Sequence, residues 1–332
     1  MNKGKLALTA RKMVAHGKGI LAADESMGTI EKRLTSIGVK STESNRRNYR
    51  NLLLSAPGME KYISGVILFD ETMRQKSDSG ITFPKLLLKK GVIPGIKVDT
   101  GANDLALYPG EKVTEGLDGL RGRFEEYAKL GAGFAKWRAV IIIGKGIPTD
   151  ECIEANVHAL ARYAALAQEA EIVPIVEPEV LMDGDHTLAR CEEVTTKTLK
   201  RLFTELKKYR VYLPGTILKP NMVVPGSEVM NSASVEQVAK VTLRTFKNSV
   251  PIEVPGIVFL SGGLSPEQAT ERLDMINKLK GKSPWELSFS FGRALQNEAL
   301  TTWQGKAVNV KAAQEAFLTR AKSVAMARQG GL

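Results

Sequence analysis

Lys219 has the sequence surroundings that a nucleophilic amine requires. It ends an apolar run that begins after the Pro214-Gly215 turn signal, and Pro220 follows it directly. Because proline cannot donate to a sheet ladder, we predict a buried strand that stops at or just after Lys219. An ammonium group at the edge of a core loses hydration, which favours the neutral amine that attacks carbonyl carbon. Alternatively, the lysine head simply reaches water from a strand end, and Lys219 alone does not decide between the two.

Two further pairs of charged residues fit carbonyl chemistry through an imine. Lys136 and Arg138 follow one apolar run, and Glu177 and Glu179 follow another. Since side chains alternate along a strand, the members of each pair share a direction. Lys136 beside Lys219 would disfavour protonation of either amine, because like charges repel, and a carboxylate nearby would relay protons. The competing interpretation is a set of structural salt bridges with ordinary pKa values.

Eight short apolar runs alternate with amphipathic helical patterns along the chain. The runs cover residues 19–23, 64–69, 93–96, 133–135, 172–176, 213–219, 256–260 and 287–291. Short connections and an even composition predict an α/β fold, a single-domain (β/α)8 TIM barrel over residues 1–332, rather than an open doubly wound sheet. We also predict an extra N-terminal helix over about residues 1–16 and a C-terminal helix over about residues 308–328.

The carboxyl ends of the strands carry the active site in barrels of this kind. All eight predicted ends are polar or charged: Asp24, Asp70, Asp99, Lys136 with Arg138, Glu177 with Glu179, Lys219, Ser261 and Arg293. We expect these side chains to converge on one face.

Two of the loops on this face have the composition of phosphate sites. Ser261-Gly262-Gly263 and Gly292-Arg293 follow the seventh and eighth strands, and glycine lets backbone N–H groups approach an anion closely. The first loop, from Ser26 to Thr29, offers two hydroxyls and a glycine to a second anion.

The composition of the chain indicates which kind of substrate it binds and in which cellular compartment it works. The net charge of +11 is spread along the chain, which favours an anionic small substrate over nucleic acid. The isolated Cys152 and Cys191 indicate a reducing compartment, and no signal peptide or run of eighteen apolar residues is present, so we expect a cytoplasmic protein without membrane insertion. The three histidines are scattered, which makes a histidine-bound zinc centre improbable, and no complete nucleotide-binding glycine motif occurs.

Six stretches in this order resemble class I fructose-bisphosphate aldolase. They are residues 17–26 (GKGILAADES), 136–138 (KWR), 176–179 (VEPE), 218–222 (LKPNM), 260–263 (LSGG) and 290–296 (SFGRALQ). The resemblance implies a (β/α)8 lyase without metal or other cofactor. Such an enzyme cleaves fructose 1,6-bisphosphate reversibly into dihydroxyacetone phosphate and glyceraldehyde 3-phosphate in glycolysis and gluconeogenesis. It is usually a homotetramer, and members of the family also bind cytoskeletal partners.

The resemblance also implies a role for each matching residue. Lys219 would form the Schiff base with the ketose C2, and Lys136 would assist the carbinolamine and imine steps. Glu177 would be the main acid–base group with Glu179 in support, and Asp24 would manage the proton of the C4 hydroxyl. The residues that match the C1 phosphate site are Ser261, Gly262, Gly292 and Arg293. Those that match the C6 phosphate site are Ser26, Thr29 and Lys97, with Arg138 nearby.

Two departures from the family pattern bear on these expectations. Thr29 stands where many members have serine, which keeps the hydroxyl. The sequence ends at Leu332 without the family's tyrosine-ending tail, so we expect proton transfer at the enamine to be slower or served by another group. Preference for the bisphosphate over fructose 1-phosphate stays open. Another imine-forming aldolase or a transaldolase-like barrel, and a binding or scaffold protein on the same barrel, are the alternatives.

Overall fold

The structure, a computed structural model, describes residues 1–332 and contains a closed barrel of eight parallel strands. The barrel strands are β1 Gly19–Ala23, β2 Ile63–Leu68, β3 Ile93–Lys97, β6 Phe134–Ile141, β7 Val173–Val180, β8 Ile217–Leu218, β9 Gly256–Phe259 and β10 Glu286–Phe291. Around the barrel they run in the order β1, β10, β9, β8, β7, β6, β3, β2. The predicted TIM barrel is therefore confirmed.

Helices surround the barrel and connect its strands. They are α1 Lys3–Met13, α2 Met27–Thr35, α3 Glu43–Ser55, α4 Asp70–Arg74, α5 Phe83–Lys89, α6 Leu120–Leu130, α7 Asp150–Glu169, α8 Leu188–Lys208, α9 Val235–Ser249, α10 Pro266–Leu279, α11 Arg293–Trp303 and α12 Val310–Ala327. Ser234 and Ser265 form capping boxes at the starts of α9 and α10, as their sequences predict. Helix α1 packs against apolar residues near the amino-terminal ends of the strands, at the opposite end of the barrel from the polar strand ends.

One element of the structure was not expected from the sequence. An antiparallel hairpin, β4 Gly101–Asp104 with β5 Lys112–Glu115, lies between β3 and α6. Its strands are short and mostly polar, so they lack the apolar alternation that marks a strand in a sequence. The hairpin begins directly after Asp99 and Thr100, which puts it at the carboxyl end of β3.

Three expectations about strand ends need correction. The fourth and fifth strands extend further than predicted, so Lys136 and Arg138 lie inside β6 and Glu177 and Glu179 lie inside β7. The apolar signal ends early in both because the inward-facing positions near the mouth are charged. Asp70 does not join the cluster at the mouth, because it begins α4 and accepts hydrogen bonds from Arg74 and Tyr127.

The inside of the barrel is filled partly by aromatic rings that lie over glycines. Gly95 of β3 is in register with Phe134 of β6, and a methyl group at Gly95 would lie only 2.3 Å from the Phe134 ring. Side chains meet in layers inside such barrels. Since Gly95 has no side chain, the Phe134 ring on the neighbouring strand fills the space beside it. The packing below the polar mouth therefore depends on glycine at this position.

Candidate active site

Lys219 directly follows β8, where the backbone pairing with β7 stops. Its N–H donates to the carbonyl of Val176, and the next residue, Pro220, has no N–H to continue the ladder. The Lys219 side chain is only 5% exposed, and its Nζ lies 3.1 Å from Oε1 of Glu177. The lysine is therefore buried beside a carboxylate, which excludes the alternative of a rim lysine that only reaches water.

A line of alternating charges joins β6, β7 and the end of β8 to the end of β1 at the barrel mouth. Lys136 Nζ lies 2.7 Å from Oδ2 of Asp24 and 3.6 Å from Oε2 of Glu177. Glu177 thus faces both lysines, one with each carboxylate oxygen, and all four side chains are almost completely buried. The order Asp24, Lys136, Glu177, Lys219 gives each charge an opposite neighbour within about 4 Å.

The carboxylates, and not the second lysine, control the charge of Lys136. Burial opposes charge on its ammonium, but the carboxylates of Asp24, Glu177 and Asp99 outweigh burial and hold the Lys136 pKa above its usual range. Burial likewise raises the pKa of Asp24, but the ammonium groups of Lys136 and Lys219 outweigh it and lower the pKa to about 2. The expectation that repulsion from Lys219 disfavours protonation of Lys136 is therefore wrong, because the carboxylates of Asp24 and Glu177 lie 2.7 Å and 3.6 Å from its ammonium group and favour the charged form.

The alternation predicted for β6 and β7 is present. Trp137 lies between Lys136 and Arg138 and points outward, where its ring stacks on Tyr163 of α7. The Arg138 guanidinium donates to Glu179, the second carboxylate of β7. Burial opposes the charge of Arg138, but Glu179 raises the Arg138 pKa above its usual range.

The loops after β9 and β10 meet at one edge of the mouth. Arg293 begins α11, and its Nη2 donates to the carbonyl of Gly262 at 2.7 Å. Ser261, Gly262, Gly292 and Arg293 line the same cavity as Lys219. Backbone N–H groups at a helix start, hydroxyl and guanidinium are groups that bind phosphate.

The second set of predicted anion-binding residues also lines this cavity. Ser26 directly precedes α2, and its hydroxyl lies 3.1 Å from the hydroxyl of Thr29. Lys97, the last residue of β3, contributes its ammonium group to the same cavity, and Arg138 borders it. The whole cavity has a volume of about 850 Å³, and every predicted strand end except Asp70 contributes to its lining.

Comparison with known proteins identifies the family. The family model for class-I fructose-bisphosphate aldolase matches residues 5–332. A probable fructose-bisphosphate aldolase class 1 from Xylella fastidiosa is 55% identical over 99% of this chain and 99% of its own length. Cytosolic fructose-bisphosphate aldolase 4 from Arabidopsis thaliana is 53% identical over 95% of this chain and 80% of its own length.

A solved structure gives the same result. Fructose-bisphosphate aldolase from Plasmodium falciparum, in a ternary crystal with TRAP and a small-molecule inhibitor, superposes with a TM-score of 0.97 at 48% identity. The match covers 99% of this chain and 95% of the Plasmodium chain. The chain belongs to the class I fructose-bisphosphate aldolase family.

Membership confirms the reaction expected from the sequence. Class I aldolases cleave fructose 1,6-bisphosphate reversibly to dihydroxyacetone phosphate and glyceraldehyde 3-phosphate through a Schiff base, without a metal. The enzyme is a lyase of glycolysis and gluconeogenesis, and the transaldolase-like alternative is excluded. The structure has no helix that is long and apolar enough to cross a bilayer.

The aldolase cavity also contains residues that the sequence analysis missed. Lys32 and Arg33 of α2 line it, one helical turn after Thr29. Glu25 accepts from Arg33, lies 2.6 Å from Arg50 and also accepts from Gln296. The i, i+3, i+4 spacing of Thr29, Lys32 and Arg33 was a usable signal, because residues at this spacing share a helix face. Glu25 and its partners come from distant parts of the chain, so spacing does not reveal them.

Proposed function

We propose that Lys219 is the residue that forms the Schiff base of this aldolase, and that Glu177 moves its protons. The observation that supports this most directly is the 3.1 Å contact between Lys219 Nζ and Glu177 Oε1, two side chains that are no more than 5% exposed. Glu177 takes a proton from the lysine, and the neutral amine attacks C2 of the ketose. The same carboxyl group then returns the proton to the carbinolamine hydroxyl, which leaves as water and gives the iminium.

The cleavage step uses the other end of the charge line. Asp24, held ionised by Lys136, takes the proton of the C4 hydroxyl as the C3–C4 bond breaks. The electron pair of that bond moves to C3 and is stored in the enamine, while glyceraldehyde 3-phosphate leaves as the aldehyde. Protonation at C3 and hydrolysis of the imine then release dihydroxyacetone phosphate and the free amine. Glu179 supports Glu177 by fixing Arg138 at the same wall of the cavity.

The two phosphates of the substrate span the cavity in this proposal. Ser261, Gly262, Gly292 and Arg293 bind the C1 phosphate, next to the imine carbon. Ser26, Thr29 and Lys97 bind the C6 phosphate, with Arg138 nearby. Both sets line one cavity, which supports this assignment, because a substrate with an anion at each end needs cationic and N–H groups for both phosphates.

Further properties follow from the family resemblance and are proposed with it. We infer that residues 1–332 work as one domain, that the enzyme is a homotetramer, and that it resides in the cytoplasm. The relatives from Arabidopsis and pea are named as cytosolic or cytoplasmic forms. We also infer secondary binding to cytoskeletal proteins, by analogy with the family.

Two substitutions separate the proposed steps. Glu177→Gln removes the proton carrier, so we expect kcat to fall by about 10²–10⁴-fold and borohydride trapping of dihydroxyacetone phosphate on Lys219 to slow with it. Asp24→Asn leaves imine formation in place, so the adduct still forms while cleavage of the bisphosphate is lost.

Steady-state kinetics and time-resolved trapping check both expectations. The exposed Glu193→Gln on α8 serves as the matched control and should behave as the wild type. Equal trapping rates in Glu177→Gln and the wild type would contradict the role of Glu177.

A further inference from the structure

Asp99 is a buried carboxylate at the cavity that none of the proposed catalytic steps uses. Its side chain is 3% exposed although it borders the aldolase cavity. It lies two residues after the end of β3, directly before the unexpected hairpin. A buried charge that only fills space would be costly, so its contacts indicate what it stabilises.

The backbone around Asp99 is held from several sides. A methyl group at Gly116, which has φ +124°, would lie 2.9 Å from the N atom of Thr100 and 3.3 Å from Cα of Asp99. Arg123 of α6 donates to the carbonyls of Val98 and Gly116. The hairpin and α6 therefore clamp the segment that carries Asp99, and its carboxylate has a fixed position at the mouth.

The Asp99 carboxylate and carbonyl both bind Lys97. Lys97 Nζ donates to Oδ1 of Asp99 at 2.6 Å and to the carbonyl of Asp99 at 2.7 Å. The other carboxylate oxygen accepts the backbone N–H of Arg138 at 3.2 Å. Asp99 thus connects the end of β3 with β6 and contacts two of the residues proposed for the C6 phosphate.

These contacts leave Lys97 with a defined orientation. An ammonium group has three N–H donors, and Asp99 accepts two of them. The third is free for a ligand in the cavity that Lys97 lines. Without the Asp99 carboxylate, only the main-chain carbonyl of residue 99 still accepts from Lys97. The lysine side chain then keeps more rotamer freedom until substrate binds, which weakens binding.

We propose that Asp99 is a positioning residue that holds Lys97 toward the C6 phosphate and thereby sets the preference for fructose 1,6-bisphosphate over fructose 1-phosphate. This inference rests on the proposed function, because it takes Lys97 as a ligand of the C6 phosphate. Fructose 1-phosphate has no phosphate at that end, so the position of Lys97 does not affect its binding.

The test compares the two substrates in four variants. We expect Asp99→Ala to lower the ratio of kcat/KM for the bisphosphate to kcat/KM for fructose 1-phosphate about tenfold, through the KM of the bisphosphate. Both variants keep the main-chain carbonyl, and Asp99→Asn also keeps a neutral side-chain oxygen, so it should lower the ratio only about threefold. Lys97→Met removes the cation, and in that background Asp99→Ala should change the ratio no further.

Each other result overturns the proposal. An equal loss for both substrates indicates a merely structural role, a higher ratio indicates that Asp99 only repels phosphate, and an undiminished effect without Lys97 excludes action through it. Borohydride trapping with dihydroxyacetone phosphate checks that each variant folds, since this adduct needs no C6 phosphate. If Asp99→Ala fails to trap, the ratio in Asp99→Asn decides. Failure of the wild type to trap on Lys219 would instead contradict the proposed function.

Discussion

Glu177 faces two lysines at once, and this position lets one carboxylate serve both in the proposed mechanism. Its oxygens lie 3.1 Å from Lys219 Nζ and 3.6 Å from Lys136 Nζ. Asp24 completes a set of two negative and two positive groups, so the buried cluster has no net charge. Burying this set costs less than burying an unpaired charge, because each charged group that leaves water gains a partner of opposite sign.

The Asp24 pKa leads to a prediction about acid stability. Its pKa falls from 3.8 to about 2 on folding, so the pair with Lys136 stabilises the protein above about pH 4 and loses that contribution as the pH falls toward 2. We expect the wild type to lose about 2 kcal/mol of unfolding free energy in this window through Asp24. Asp24→Asn should not show this part of the loss of unfolding free energy.

Urea titrations of both proteins at several pH values between 4 and 2 measure the difference. Asp118→Asn, at an exposed carboxylate just before α6, is the control that should keep the full pH dependence of the wild type. Parallel curves for the wild type and Asp24→Asn would contradict the shift.

The residues of the site were predictable to different degrees. The position of Lys219 was predictable from the sequence, because a turn, an apolar run and a following proline indicate where its strand ends. The pairing of Lys136 with Asp24 was not, since the two are far apart in the chain and meet only because the barrel closes. The charge state expected for Lys136 was wrong for the same reason.

At the scale of elements, the strands were predictable where one face is apolar. The ends of β6 and β7 were missed because charged residues of the site interrupt the apolar run within each strand. The β4–β5 hairpin was missed because it is polar on both faces. The elements that carry function thus violate the patterns on which sequence interpretation depends.

Gly95 of β3 allows a stability prediction at this scale. Gly95→Ala would place a methyl group against the Phe134 ring, so we expect the free energy of unfolding to fall by about 1–3 kcal/mol. The matched control is Gly122→Ala within α6, where the added methyl group meets open space. There we expect a gain of about 0.5–1 kcal/mol, because alanine favours a helix. Urea unfolding compares the two, and similar changes at both positions would contradict the packing interpretation.

At the scale of the whole molecule, barrel closure is what makes the site. The site residues at the strand ends are spread along the chain from Asp24 to Arg293, and closure of the eight-stranded barrel brings them to one cavity. The alternation of runs in the sequence predicted this closure, whereas the contacts across the mouth required the structure. The net charge of +11 agrees with a substrate that carries two phosphates.

The proposed homotetramer is testable at this scale. Sedimentation velocity at micromolar concentration should give a species of four times the chain mass of 36.2 kDa. Large apolar side chains such as Leu107 and Val308 are 97% and 87% exposed in the single chain, and these are candidates for contacts between copies. A species with the mass of one chain over the whole concentration range would contradict the tetramer.

Covalent trapping tests the central claim most directly. The enzyme is incubated with dihydroxyacetone phosphate, reduced with borohydride and digested, and the modified lysine is mapped by mass spectrometry. We expect one stoichiometric adduct on Lys219, none on Lys136, and no adduct or turnover in Lys219→Arg, because guanidinium keeps the charge but forms no imine. An adduct on another lysine, or full activity in Lys219→Arg, would contradict the assignment of Lys219 as the covalent centre.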